Sequence, residues 1–99
     1  MNLDKRKFFR LQIRMPIRVE GVDAASKHFL EETYTTNVSL EGLSFLTSQD
    51  MGRGQLLTIS ASDKFRIQSK IVWIGDPQKS GQKEVGAQLI PPIVNWVVK

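Results

Sequence analysis

Two short stretches of this 99-residue chain carry side chains whose types and spacing could do chemistry. The first, Asn37-Val38-Ser39-Leu40-Glu41-Gly42, is a polar turn between two apolar runs. It gathers an amide, a hydroxyl and an unhindered backbone N–H within six residues. The second, Arg6-Lys7-Phe8-Phe9-Arg10, is a basic hook in which two arginines stand four residues apart. Their planar guanidinium forks suit phosphates or guanine edges. Brought together, the two stretches would make a site for an anionic nucleotide. Read alone, the turn is equally an Asx-type turn closed by a glycine, which needs no ligand.

RxxxR (Arg6 to Arg10) followed by NxSxxG (Asn37, Ser39, Gly42), with strand-like sequence between and after, resembles the PilZ domain family from about Lys5 to Leu89. PilZ domains are bacterial receptors for cyclic di-GMP. The resemblance implies that Arg6 and Arg10 bond the phosphates and guanine edges of that ligand. It implies that Asn37, Ser39 and Gly42 supply matching donors and acceptors from the opposite side, with Lys7 assisting electrostatically. The family's closing strand commonly carries a Val-Gly pair, matched by Val85 and Gly86, and the missing Gly86 side chain would then make room near the nucleotide. A barrel-closing bend is the alternative account of that glycine. The resemblance also implies a non-enzymatic receptor or adaptor that acts on a downstream protein, with motility, exopolysaccharide output or virulence as family roles, and no cofactor.

Composition agrees with a single small domain. Hydrophobic residues make up 40% of the chain, enough for one core, and charged residues 24%. There is no long apolar run that would span a membrane, and the charged start lacks the apolar core of a secretory signal. The chain has no cysteine and a single histidine, His28, so neither disulfides nor a zinc site is expected. These features suggest a cytoplasmic protein. Residues 1–20 hold six basic and two acidic side chains, so the whole net charge of +4 sits in the first fifth of the chain. That localisation points to an anionic partner near the hook. No nucleophile–base pair, paired carboxylates or metal cluster suggests catalysis.

The elements that must position these residues read as strands. Residues 13–20 alternate strictly, with Ile13, Met15, Ile17 and Val19 on one face, and Pro16 marking an edge or bulge. Residues 29–38 are β-branched and aromatic, with Leu30, Tyr34 and Val38 assigned to one face. Strands are also expected over 43–47, 56–61, 65–74 and 85–89, separated by loops at 21–28, 48–55 and 75–82. In the long strand 65–74, Phe65, Ile67, Ser69, Ile71 and Trp73 are placed on one face; its second half is apolar on both faces, so something should cover it. Pro91–Lys99 would be a short helix or tail with Ile93, Trp96 and Val97 on one face, covering that strand, crossing a barrel end or contacting a second copy.

The expected fold is therefore mainly β: a six-stranded antiparallel, PilZ-like split barrel over 13–90, a basic hook over 1–12, and a short C-terminal helix or tail over 91–99. The hook is expected to be loose without ligand and ordered by it, because its cations repel while Phe8 and Phe9 favour docking. Two other functions compete. A small barrel that binds nucleic acid could use Phe8, Phe9, Phe45, Trp73 and Trp96 for stacking, but the basic residues cluster at one end and most of these aromatics lie on apolar strand faces. A PilZ-like protein-interaction module without a nucleotide is the other, and the intact RxxxR and NxSxxG argue against it.

Overall fold

A computed structural model describes residues 10–98; Arg6 and Lys7 lie outside the described residues. Six strands follow one another: β1 (Pro16–Val22), β2 (His28–Val38), β3 (Gly42–Thr47), β4 (Leu56–Ala61), β5 (Phe65–Ile74) and β6 (Lys83–Leu89). All pairings are antiparallel, and the sheet closes on itself in the order β1-β2-β3-β6-β5-β4. The chain thus forms two three-stranded meanders, β1-β2-β3 and β4-β5-β6, joined along two seams, β3 to β6 and β1 to β4. The expected barrel is what forms: β4 and β5 start at the residues read from periodicity, and the other strands start one to three residues away.

Alternation explains most of the core. Ile17 and Val19 of β1, Leu43, Phe45 and Thr47 of β3, Leu57 and Ile59 of β4, and Val85, Ala87 and Leu89 of β6 point inward and are buried. Met51, from the link between the meanders, completes the filling. Inward residues recur every second position because successive side chains of a strand point to opposite faces.

Two β-bulges break this period, one in the middle strand of each meander. In β2, Thr35 pairs with Phe45 and Asn37 with Ser44, so Thr36 is the extra residue. In β5, Ile71 pairs with Ala87 and Trp73 with Gly86, so Val72 is extra. A bulge sets two residues opposite one and re-aims the side chains that follow. Thr35 and Val38 are therefore both buried, while Thr36 and Asn37 both turn outward. Ile71 is likewise buried, whereas Val72 and Trp73 both lie on the outer side. Two face assignments made from periodicity are corrected by this. Leu30 and Tyr34 do not share a face with Val38: they are 55% and 46% exposed, and Val38 is fully buried. Trp73 does not continue the inward row of Phe65, Ile67, Ser69 and Ile71, because the bulge turns it out of the core.

The segment before β1 continues the alternation without a regular ladder. Ile13 and Met15 pack against the core. Their backbone is held by Thr35, whose Oγ1 donates to the Ile13 carbonyl at 2.5 Å and accepts from the Met15 N–H at 2.9 Å. Leu11 and Val38 then exchange both backbone hydrogen bonds, at 2.8 and 2.9 Å. Leu11, near the end of the expected hook, is thus bonded to the end of β2.

No helix forms over 91–98. Pro92 disfavours helical geometry at Pro91, and Asn95 has a positive φ of 65°. The segment is instead an irregular strap. Its Trp96 is buried and stacks on Phe65, with ring centroids 4.7 Å apart. The strap packs at the beginning of β5.

Candidate nucleotide site

The register of the barrel places Asn37, Ser44, Gly86 and Trp73 in one row across β2, β3, β6 and β5. The two bulges bring Asn37 and Trp73 onto the outer face at the ends of this row, astride the β3–β6 seam. A cavity of about 300 Å³ opens over the seam. Its lining includes Arg10, Asn37, Ser39, Glu41 and Gly42 on one side and Val72, Trp73 and Gln88 on the other.

Each of the expected residues in the described region has a definite place. Arg10 reaches the cavity because the Leu11–Val38 bridge ties its neighbour to the strand that leads into the loop. Asn37 is the second outward residue of the β2 bulge. Ser39 begins a tight turn in which its N–H donates to the Gly42 carbonyl at 2.9 Å and its Oγ donates to the same oxygen at 3.3 Å. The turn is tied to the barrel where the Leu89 N–H donates to the Glu41 carbonyl at 2.8 Å. Gly42 pairs with Gln88, and a Cβ there would stand 2.7 Å from the Ala87 carbonyl oxygen. Close approach of β3 to β6 thus excludes a side chain at this position.

Gly86 is not among the cavity-lining residues. A methyl group added there would overlap Nε1 and Cε2 of Trp73. The space it leaves is filled by the Trp73 indole, and Trp73 forms the cavity wall. Gly86 therefore shapes the site at one remove.

The outward polar groups of β2, β3 and β6 form a directed chain. Thr36 Oγ1 donates to Glu84 Oε2 at 2.5 Å. A hydroxyl carries one proton, so in the 2.6 Å contact between Thr36 and Ser44 the Ser44 Oγ must donate. Ser44 Oγ then accepts from Asn37 Nδ2 at 3.4 Å. The polarity of the chain is set by the Glu84 carboxylate, and it matches the orientation of the Asn37 amide, whose NH₂ end is engaged by Ser44.

Sequence reading missed Val72, Trp73, Ser44 and Gln88 as lining residues. The available signal was the run Ile71-Val72-Trp73-Ile74, apolar on both faces, set against a strand containing Gly86. Of the aromatics offered as stacking platforms, Phe45 and Trp96 are buried, and Phe8 and Phe9 lie outside the described residues; Trp73 is half-exposed at the cavity. Among the described residues, no group of three or more His, Asp or Glu side chains could hold a metal ion, and no helix is long and apolar enough to cross a membrane.

No curated protein matches the chain. A family does: residues 4–94 match the PilZ domain, which spans both the arginine pair and the loop as well as all six strands. With a closed antiparallel barrel and a match over nearly its whole length, the chain belongs to the PilZ domain family, a family of cyclic di-GMP receptor domains.

Proposed function

We propose that this protein binds cyclic di-GMP at the β3–β6 seam and acts as a non-enzymatic cytoplasmic receptor or adaptor for a downstream partner. The observation that carries the reading is the cavity itself, where Arg10 meets the loop carrying Asn37, Ser39 and Gly42 and Trp73 lines the opposite side. The Arg10 guanidinium offers charge-assisted hydrogen bonds to a phosphate or to a guanine O6/N7 edge. Asn37 Oδ1 offers an acceptor to the guanine N1–H and amino group. Trp73 offers a face on which a base can stack, and such stacking contributes about 1–3 kcal/mol per base. The cavity lies at the lower end of the usual range for ligand sites, roughly 300–1,000 Å³, so one guanine with its adjoining phosphate is the part it would enclose. Arg6 and Lys7 are assigned to the site by the family motif and would complete it from outside the described residues. An extended nucleic acid fits less well, since Trp73, half-exposed, is the one aromatic lining the seam cavity among the described residues, and Glu41 adds a negative charge at its rim.

Calorimetric titration with cyclic di-GMP tests the proposal. The unmutated protein should bind, and Arg10→Ala should weaken binding by more than tenfold while keeping the fold, because a hydrogen bond to a charged group contributes about 1.5–3 kcal/mol. Absence of binding by the unmutated protein would sink the reading, and unchanged affinity of the variant would remove Arg10 from the site.

A further inference from the structure

Trp96 lies outside the residues 4–94 that match the family, yet it touches the candidate site from the strap. Its indole N–H donates to the Ser39 carbonyl at 2.7 Å. Buried indoles usually find a partner for this group, and here the partner belongs to the backbone of the site loop. The ring is held independently of that bond. It stacks on Phe65, and the preceding Asn95 anchors the strap by donating Nδ2 to the Lys64 carbonyl at 3.0 Å. The loop is then tied by three separate parts of the chain: its own Ser39–Gly42 turn, the Leu89 N–H of β6, and the strap.

We propose that Trp96 is a positioning residue for the ligand loop. A peptide unit is planar, so fixing the Ser39 carbonyl fixes the plane of the Ser39–Leu40 peptide and the conformation in which Ser39 borders the cavity. The ligand side of this inference rests on the cyclic di-GMP reading; the geometric side does not. Coupling between sites is reciprocal. A ligand that favours this loop conformation therefore tightens the strap, and a strap that lets go weakens the ligand.

The substitution that isolates the bond is Trp96→Phe, which keeps an aromatic ring on Phe65 and removes the donor. Amide resonances of Ser39–Gly42 should move in the variant while those of β4 stay in place. Cyclic di-GMP affinity should fall about five- to tenfold, the size expected from one neutral hydrogen bond. In the unmutated protein, saturating cyclic di-GMP should slow hydrogen exchange of the Trp96 indole N–H. Wild-type affinity in Trp96→Phe, beside an unmutated protein that binds, overturns the proposal and leaves the receptor reading standing. If the unmutated protein does not bind cyclic di-GMP, the receptor reading fails, and the 39–42 resonances of the variant alone decide whether Trp96 positions the loop. Should the variant fail to fold, an unchanged indole exchange rate in the saturated protein overturns the proposal.

Discussion

At the scale of single residues, Gly86 and Trp73 form a pair in which the absence of one side chain gives the other its seat. Any Cβ at position 86 meets the indole. Gly86→Ala should therefore displace Trp73 and destabilise the fold by about 1–3 kcal/mol, the usual cost of overpacking a filled site. Urea unfolding measures this, and the double variant with Trp73→Ala should be more stable than the sum of the two single losses, because the clash is shared. Cyclic di-GMP affinity should fall as well, since the wall that faces the arginine has moved. This relation was half legible in the sequence. Gly86 stood out as a glycine inside a strand, but nothing local to it says which ring will lie over it. Asn37 was legible as a polar turn residue, whereas the chain its amide joins runs through two hydroxyls to Glu84, forty-seven positions later.

At the scale of elements, periodicity located all six strands and failed where the period itself breaks. A bulge adds one residue to one strand, and the pattern of apolar positions shows nothing at that point except a lost phase. Tyr34 and Trp73 were misassigned for this one reason, and both bulges flank the seam that carries the cavity. The segment before β1 depends on a different device. Thr35, buried and mid-strand, replaces a missing ladder with its hydroxyl. Thr35→Val keeps the shape and removes both bonds, leaving a buried N–H and carbonyl to find other partners. The expected loss is about 1–3 kcal/mol of stability, with faster amide exchange at Met15. Affinity for cyclic di-GMP should fall less than in Arg10→Ala, because the Leu11–Val38 bridge still holds the arginine's neighbour. The C-terminal segment reads as a short helix or tail; it is an irregular strap, because adjacent prolines and the left-handed Asn95 preclude the helix.

At the scale of the whole molecule, the chain concentrates its net positive charge in its first twenty residues and folds the remainder into a nearly neutral barrel. Among the described residues, Arg10 brings part of this charge to the seam. For a ligand with two phosphates, rising salt should weaken binding modestly. An oligonucleotide tracking the surface would instead show a logarithmic slope of about −0.7 for each phosphate neutralised on a single strand. Titrations at several salt concentrations separate the two, and a steep slope with DNA or RNA would count against the receptor reading. The charge imbalance and the number of strands were open to inspection in the sequence. The closure order, with β1 beside β4 and β3 beside β6, was not, because those pairings join positions far apart in the chain and no local pattern encodes them.

The row that runs from Asn37 through Ser44 and Gly86 to Trp73 draws one residue from each of four strands, and two of those strands meet only when the second meander docks on the first. No fragment short of the closed barrel carries the whole of the proposed site. During synthesis, the first meander would emerge with Arg10, Asn37 and Ser39 in place and still lack a floor and a wall. Sensitivity to the messenger would then appear in a single step, when the last strand closes the barrel. A ligand present at that moment would select the finished fold, adding stability that grows with the logarithm of its concentration above the dissociation constant. On the proposed reading, a copy with an unclosed barrel would not bind the ligand, so that completion of the fold and completion of the site are one event.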